Sequence, residues 1–231
     1  MIQLLKTVRY LIMLADSNEG QDKLLKALAA HDLEGASKEL VTELEKDPLN
    51  AIGWTNLGNL LARTGSYSDS VSCFRQALTL VPDMATAWYG LGTVHAMNAA
   101  HDLACQAFEQ SIRNGLNDGS AYYMLGVSLM RTGQTALSIP YFQTALEKDP
   151  KDLEAALKYG MVLAETGFKD EAEKVFRGIL ETDRKHCDAL YNLGVLYAHS
   201  GNYEQASQMF EQVLAYQSDH KLAMQAKELL P

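Results

Sequence analysis

The sequence predicts an all-α protein: a right-handed superhelical solenoid built from antiparallel helix pairs. Two observations predict it. Residue types recur at a fixed 34-residue step, and each step contains two apolar runs at helical spacing divided by a glycine position. Five of the six phenylalanines, Phe74, Phe108, Phe142, Phe176 and Phe210, keep that step. So do Gly58, Gly92, Gly126, Gly160 and Gly194. A second glycine series runs through Gly65, Gly133, Gly167 and Gly201, with Ala99 in the missing slot.

The elements follow in chain order. Residues 1–16 open with Met1, Leu5, Val8 and Ile12 beside Leu4, Leu11 and Leu14, the spacing of an amphipathic helix. Apolar residues precede Lys6 and Arg9, the reverse of a secretory leader. Residues 17–50 form a degenerate unit in which Ala36, Leu40 and Pro48 keep register, and its first helix spans about 21–30. Full units are expected at 51–84, 85–118, 119–152, 153–186 and 187–220. In the first, Trp54, Leu57, Gly58 and Leu61 build one helical stripe and Val71, Phe74, Ala77 and Leu78 the next. Gly58 is small enough to admit a close neighbour, and Gly65 ends the first helix where a positive φ is needed. Pro82 and Pro150 end second helices. Pro140 lies within a second helix and should remove one backbone hydrogen bond. Residues 221–231 read as one capping helix, as a solenoid end requires.

Composition narrows the function classes. The 231 residues carry 20 Lys+Arg against 29 Asp+Glu, a net charge of −9, which disfavours nucleic acid and anionic lipid as partners. No apolar run reaches the roughly 18–20 residues of a membrane span. Cys73, Cys105 and Cys187 give no CxxC pair and read as reduced thiols. Phosphate-loop, nucleophile-elbow and HExxH motifs are missing from the sequence. His101 and Cys105 are four apart on one helix, with His95 near in sequence. Two ligands fall short of the four of a structural zinc site, so no metal and no cofactor are expected.

The 34-residue hairpin with Trp-x2-Leu-Gly, then Ala, Phe, Ala and Pro, resembles the tetratricopeptide repeat (TPR). Unit 51–84 matches at Trp54, Leu57, Gly58, Phe74, Ala77 and Pro82, with Ser70 in place of the first alanine. Unit 85–118 matches at Trp88, Leu91, Gly92, Ala104 and Phe108, and departs at His95, Ser111 and Leu116. Unit 119–152 has Tyr122, Leu125, Gly126, Phe142, Ala145 and Pro150. The last two units have Ala156 and Leu190 at the aromatic slot. The resemblance covers about three quarters of the chain and is to stand-alone cytosolic TPR proteins of bacterial type.

The resemblance implies a concave groove lined by first helices, holding a peptide or helix of a partner protein. The positions it assigns to that surface include Thr55, Asn59, Tyr89, Thr93, Met97, Tyr123, Val127, Met130, Arg131, Leu157, Met161, Tyr191 and Val195. Glu154, Glu165 and Asp188 are expected to make its C-terminal part acidic. The carboxylate clamp by which TPR co-chaperones hold heat-shock chaperone C-termini needs a lysine in its first slot. Here that slot holds Thr55, Tyr89 or Tyr123, so that partner is not expected. The expected function is a non-catalytic, cytoplasmic interaction adaptor. The alternative is a self-assembling structural protein, a homo-oligomer joined through residues 1–15. A membrane-surface role for that helix has only two cations to support it.

Overall fold

First helices begin at one fixed position of the repeat, and the side chain there caps them. Asn50 Oδ1 accepts from the Gly53 N–H at 2.8 Å, and Asp152 Oδ1 from Glu154 and Ala155 at 3.0 and 2.9 Å. Asp118 accepts from Ser120 at 2.9 Å. His186 and His220 use imidazole Nδ1 for the same task, at 3.3 and 3.1 Å, while Met84 supplies no cap. Each cap satisfies donors that the helix itself leaves unpaired.

The computed structural model describes residues 32–231, which hold twelve helices and no strand. They fall in two units that divide after Ala99. The first contains α1 (Leu33–Lys46), α2 (Ala51–Arg63), α3 (Tyr67–Leu80) and α4 (Ala85–Met97). The second contains α5 (His101–Arg113), α6 (Gly119–Arg131), α7 (Thr135–Lys148) and α8 (Leu153–Glu165). It continues with α9 (Lys169–Thr182), α10 (Cys187–His199), α11 (Tyr203–Tyr216) and α12 (Lys221–Glu228). Within each unit every helix packs on the next in sequence, and the first-helix pairs α2–α4 and α8–α10 also touch. The expected helix over 1–16 and the first helix of 17–50 lie outside the described residues. The second helix of that degenerate repeat is α1, which buries Ala36 and Leu40.

The repeated phenylalanines form the core. All five are fully buried, each contributing about 1.5–3 kcal/mol by leaving water. Their rings explain the repeated glycines. A Cβ on Gly160 would stand 2.6 Å from Phe176 Cε1, and one on Gly194 2.7 Å from Phe210. Phe74 is held on two sides: a Cβ would come within 3.0 Å of it from Gly58 on α2 and 2.3 Å from Gly90 on α4. The close neighbour admitted by Gly58 is therefore an aromatic ring from its own hairpin. The small-residue slot on second helices is buried throughout, whether alanine (Ala36, Ala104, Ala172, Ala206) or serine (Ser70, Ser138). The serine hydroxyls are satisfied: Ser70 donates to the Gly58 carbonyl at 2.6 Å and Ser138 to that of Thr135 at 2.7 Å.

Helix ends also keep the register. Gly65, Gly133, Gly167 and Gly201 have φ between +78° and +93°, and Ala99 is forced to +56° in the same slot. The amide after each of those glycines reaches back five residues, as in Ser66 N–H to Leu61 O at 2.9 Å. Repeat 85–118 lacks the proline that follows second helices at Pro48, Pro82 and Pro150. Gly115, at φ +98°, ends α5 instead, with Leu116 N–H bonded to Ser111 O at 3.0 Å. In the first unit, the indole N–H of Trp54 donates to Pro48 O at 2.9 Å and that of Trp88 to Pro82 O at 2.8 Å. The aromatic slot thus fastens a first helix to the turn before it. Pro140 is the sixth residue of α7, past the first turn, so the Ala136 carbonyl lacks its helical partner; both residues are exposed.

Candidate functional site

The first-helix face is described within each unit separately. In the first, Asn59 on α2 is exposed, Tyr89 and Thr93 on α4 are half-buried, and Met97 exposes 51% of its surface. The Thr93 hydroxyl is turned back onto the Tyr89 carbonyl at 3.0 Å. Thr55 is buried, and its hydroxyl bonds the Ala51 carbonyl at 2.9 Å, so it offers nothing to a ligand. Burial, then the nearby Arg75, lowers the His95 imidazole below its ordinary range.

In the second unit, α6 carries half-buried Tyr123, Val127 and Met130 and exposed Arg131. Half-buried Met161 is on α8, and half-buried Tyr191 and Val195 are on α10. Leu157 departs from the expectation. It is 8% exposed and packs in the core with Phe176, Leu190 and Leu193. The physical reason is the side chain. Tyrosine at the equivalent positions has a hydroxyl that needs water or a partner, whereas leucine gains by complete burial.

Tyr123 is the best-anchored side chain of this face. Its ring meets Phe142 edge-on at 5.9 Å and 65°, and its hydroxyl donates to Glu154 Oε1 at 2.8 Å. Burial, then the Glu154 bond and charge, push the phenol well above its usual range, so it remains a donor at neutral pH. Tyr191 lies between Phe210, at 5.9 Å, and His220, at 5.4 Å.

Between α8 and α10 lies a depression of about 370 Å³ lined by Met161, Ala164, Val195 and Leu196, with Phe176 behind them. Its polar lining is Glu165, Lys169, Asn192 and His199. Met161 and Val195 are thus brought together as the repeat register requires. The acidic character expected here is diluted. Lys169 borders the same depression as Glu165, and Glu154 is already engaged by Tyr123. The role of Lys169 was missed because it belongs to a second helix; its place as the first residue of α9, just past the end of α8, was the available signal.

Among the described residues no three or more His, Cys, Asp or Glu side chains are grouped to hold a metal ion. His101 Nδ1 is buried without a hydrogen-bond partner, and Cys105 on the same helix is buried. Among the described residues no helix is long and apolar enough to cross a membrane.

A family model described as tetratricopeptide repeat matches residues 55–118 and 123–186, and a second such model matches 170–228. The chain belongs to the tetratricopeptide-repeat family. Among solved structures it is similar to YrrB, described as a TPR protein with an unusual peptide-binding site. That likeness has 36% identity and a TM-score of 0.79, covering 84% of this TPR chain and 100% of YrrB. A structure of MamA is 25% identical with a TM-score of 0.65, covering 72% of this chain and 91% of its own. MamA from Desulfovibrio magneticus RS-1, at 16% identity and a TM-score of 0.69 over 74% and 96% of the two chains, shares the fold. Comparison with curated proteins gave no match.

Proposed function

We propose that this TPR protein is a non-catalytic interaction module of the cytoplasm that takes a peptide or helix of a partner protein on its first-helix face. The observation that carries the reading is the depression between α8 and α10. It joins adaptable apolar side chains, Met161 and Val195, to groups that can hydrogen-bond a peptide, Asn192 and His199. The likeness to YrrB, a TPR protein described as having a peptide-binding site, supports it. Tyr123, Val127, Met130 and Arg131 extend the surface on α6, and Asn59, Tyr89, Thr93 and Met97 are its counterparts in the first unit.

The test is affinity capture from host lysate read by mass spectrometry, comparing the native chain with a Met161→Glu/Val195→Glu variant. Leu157 is avoided because a charge there would strike the core. With helical circular dichroism preserved, a prey lost only from the variant supports the reading and names the partner. Identical prey lists would sink it. Recovery of the bait alone, with a mass that rises with concentration and collapses on deletion of residues 1–15, would favour self-assembly instead.

A further inference from the structure

A second surface lies at the end of the second unit where its second helices begin. Leu103 is the third residue of α5 and Leu137 the third of α7, equivalent positions one repeat apart. They expose 46% and 58% of their surfaces. Phe168, the residue before α9, exposes 50%, and Tyr203, the first residue of α11, exposes 45%. Every second helix of this unit therefore carries one large exposed apolar side chain at the same end. Single exposed apolar residues need no explanation, but two leucines in repeat register, with two further large apolar side chains at the same end, do.

The charges at that end are unbalanced. Exposed Asp102, Asp170, Glu171 and Glu204 lie in the opening turns, and exposed Glu165 ends α8; the cations there are Lys169 and Arg131. None of these side chains is in an ion pair. The first-turn acids complement their helix N-termini, which accounts for their being there. It does not account for the leucines between them. Apolar side chains set among unpaired acids complement an apolar stripe bordered by cations.

We infer that this end of the second unit docks an amphipathic helix of a partner protein, with its apolar stripe on Leu103 and Leu137 and its Lys and Arg side chains toward Asp102, Asp170 and Glu171. The surface borders the first-helix face at Glu165 and Lys169, but its apolar contacts, Leu103 and Leu137, are not those of that face, so either can fail alone.

The test is fluorescence anisotropy of the full chain with two labelled amphipathic peptides, one of Leu and Lys and one of Leu and Glu in the same pattern. The Leu/Lys peptide should bind. A Leu103→Ser/Leu137→Ser variant, altered only at exposed positions, should bind it at least tenfold more weakly. Met161→Ser/Val195→Ser, which adds no charge, should not weaken binding. Equal affinity for native chain and serine variant would reduce the attraction to net charge and overturn the inference. So would loss confined to the Met161/Val195 variant, equal binding of the Leu/Glu peptide, or no binding at all.

Discussion

Ala99 holds a backbone conformation that every equivalent position gives to glycine. Its φ is +56°, while Gly65, Gly133, Gly167 and Gly201 lie between +78° and +93°. A Cβ in this region crowds its own carbonyl and costs roughly 1–2 kcal/mol. Replacing alanine with glycine also loosens the unfolded chain, which returns roughly 0.4–1 kcal/mol to the unfolded side. Ala99→Gly should therefore stabilise by up to about 1.6 kcal/mol, a rise of about 2–4 °C per kcal/mol in a chain of this size. Urea unfolding followed by circular dichroism at 222 nm should show a higher midpoint at unchanged slope. Gly133→Ala is the mirror experiment. Nothing lies within 4 Å of its would-be Cβ, so the backbone strain is set only against the stiffer unfolded chain, and the midpoint should fall. A destabilising Ala99→Gly, or a Gly133→Ala that raises the midpoint, would refute the strain argument.

Three further outcomes are expected. Gly160→Ala, whose Cβ would press to 2.6 Å from Phe176, should destabilise by about 1–3 kcal/mol, whereas Gly178→Ala, with open space in mid-α9, should stabilise by about 0.5–1 kcal/mol. Calorimetry that finds the same sign for both would contradict the ring-on-glycine packing. At mildly alkaline pH a coloured thiol reagent should modify Cys187 first. Cys73 and Cys105, pushed up to about 11 chiefly by burial, should react only on unfolding; three equal rates would count against it. Above about pH 10 the Tyr123 phenol ionises in the unfolded chain but stays protonated in the folded one, so stability falls as pH rises. Tyr123→Phe should flatten that decline, and parallel profiles would remove Tyr123 as its cause.

The periodic part of the fold was legible because each repeated residue type has one physical task. Phenylalanine and glycine recur together because the ring lies on the missing Cβ. Ala99 was legible as the odd member of the second glycine series, and its strain is a finding of the structure. Other features were hidden by substitution of one device for another. Leu116 stands where a proline belongs, but Gly115 just before it stops the helix by a different geometry. On the first-helix face, register gave the positions and not their depth. Leu157 occupies a tyrosine slot and sinks into the core, because depth depends on side-chain chemistry and on what the facing helix leaves open. The sequence also suggested an acidic C-terminal groove by counting Glu154, Glu165 and Asp188. Lys169 escaped notice because it reaches the depression from the next helix.

Trp54 and Trp88 are the only tryptophans in the chain, and both fasten helices of the first unit to their preceding turns. Their emission is therefore a private signal of residues up to Ala99. Ellipticity, in contrast, is dominated by the eight helices that follow. Superimposable denaturation curves from the two probes would mean that melting passes the Ala99 boundary without pause. Curves that separate would show that the two units unfold in distinct steps, with no label or added chromophore.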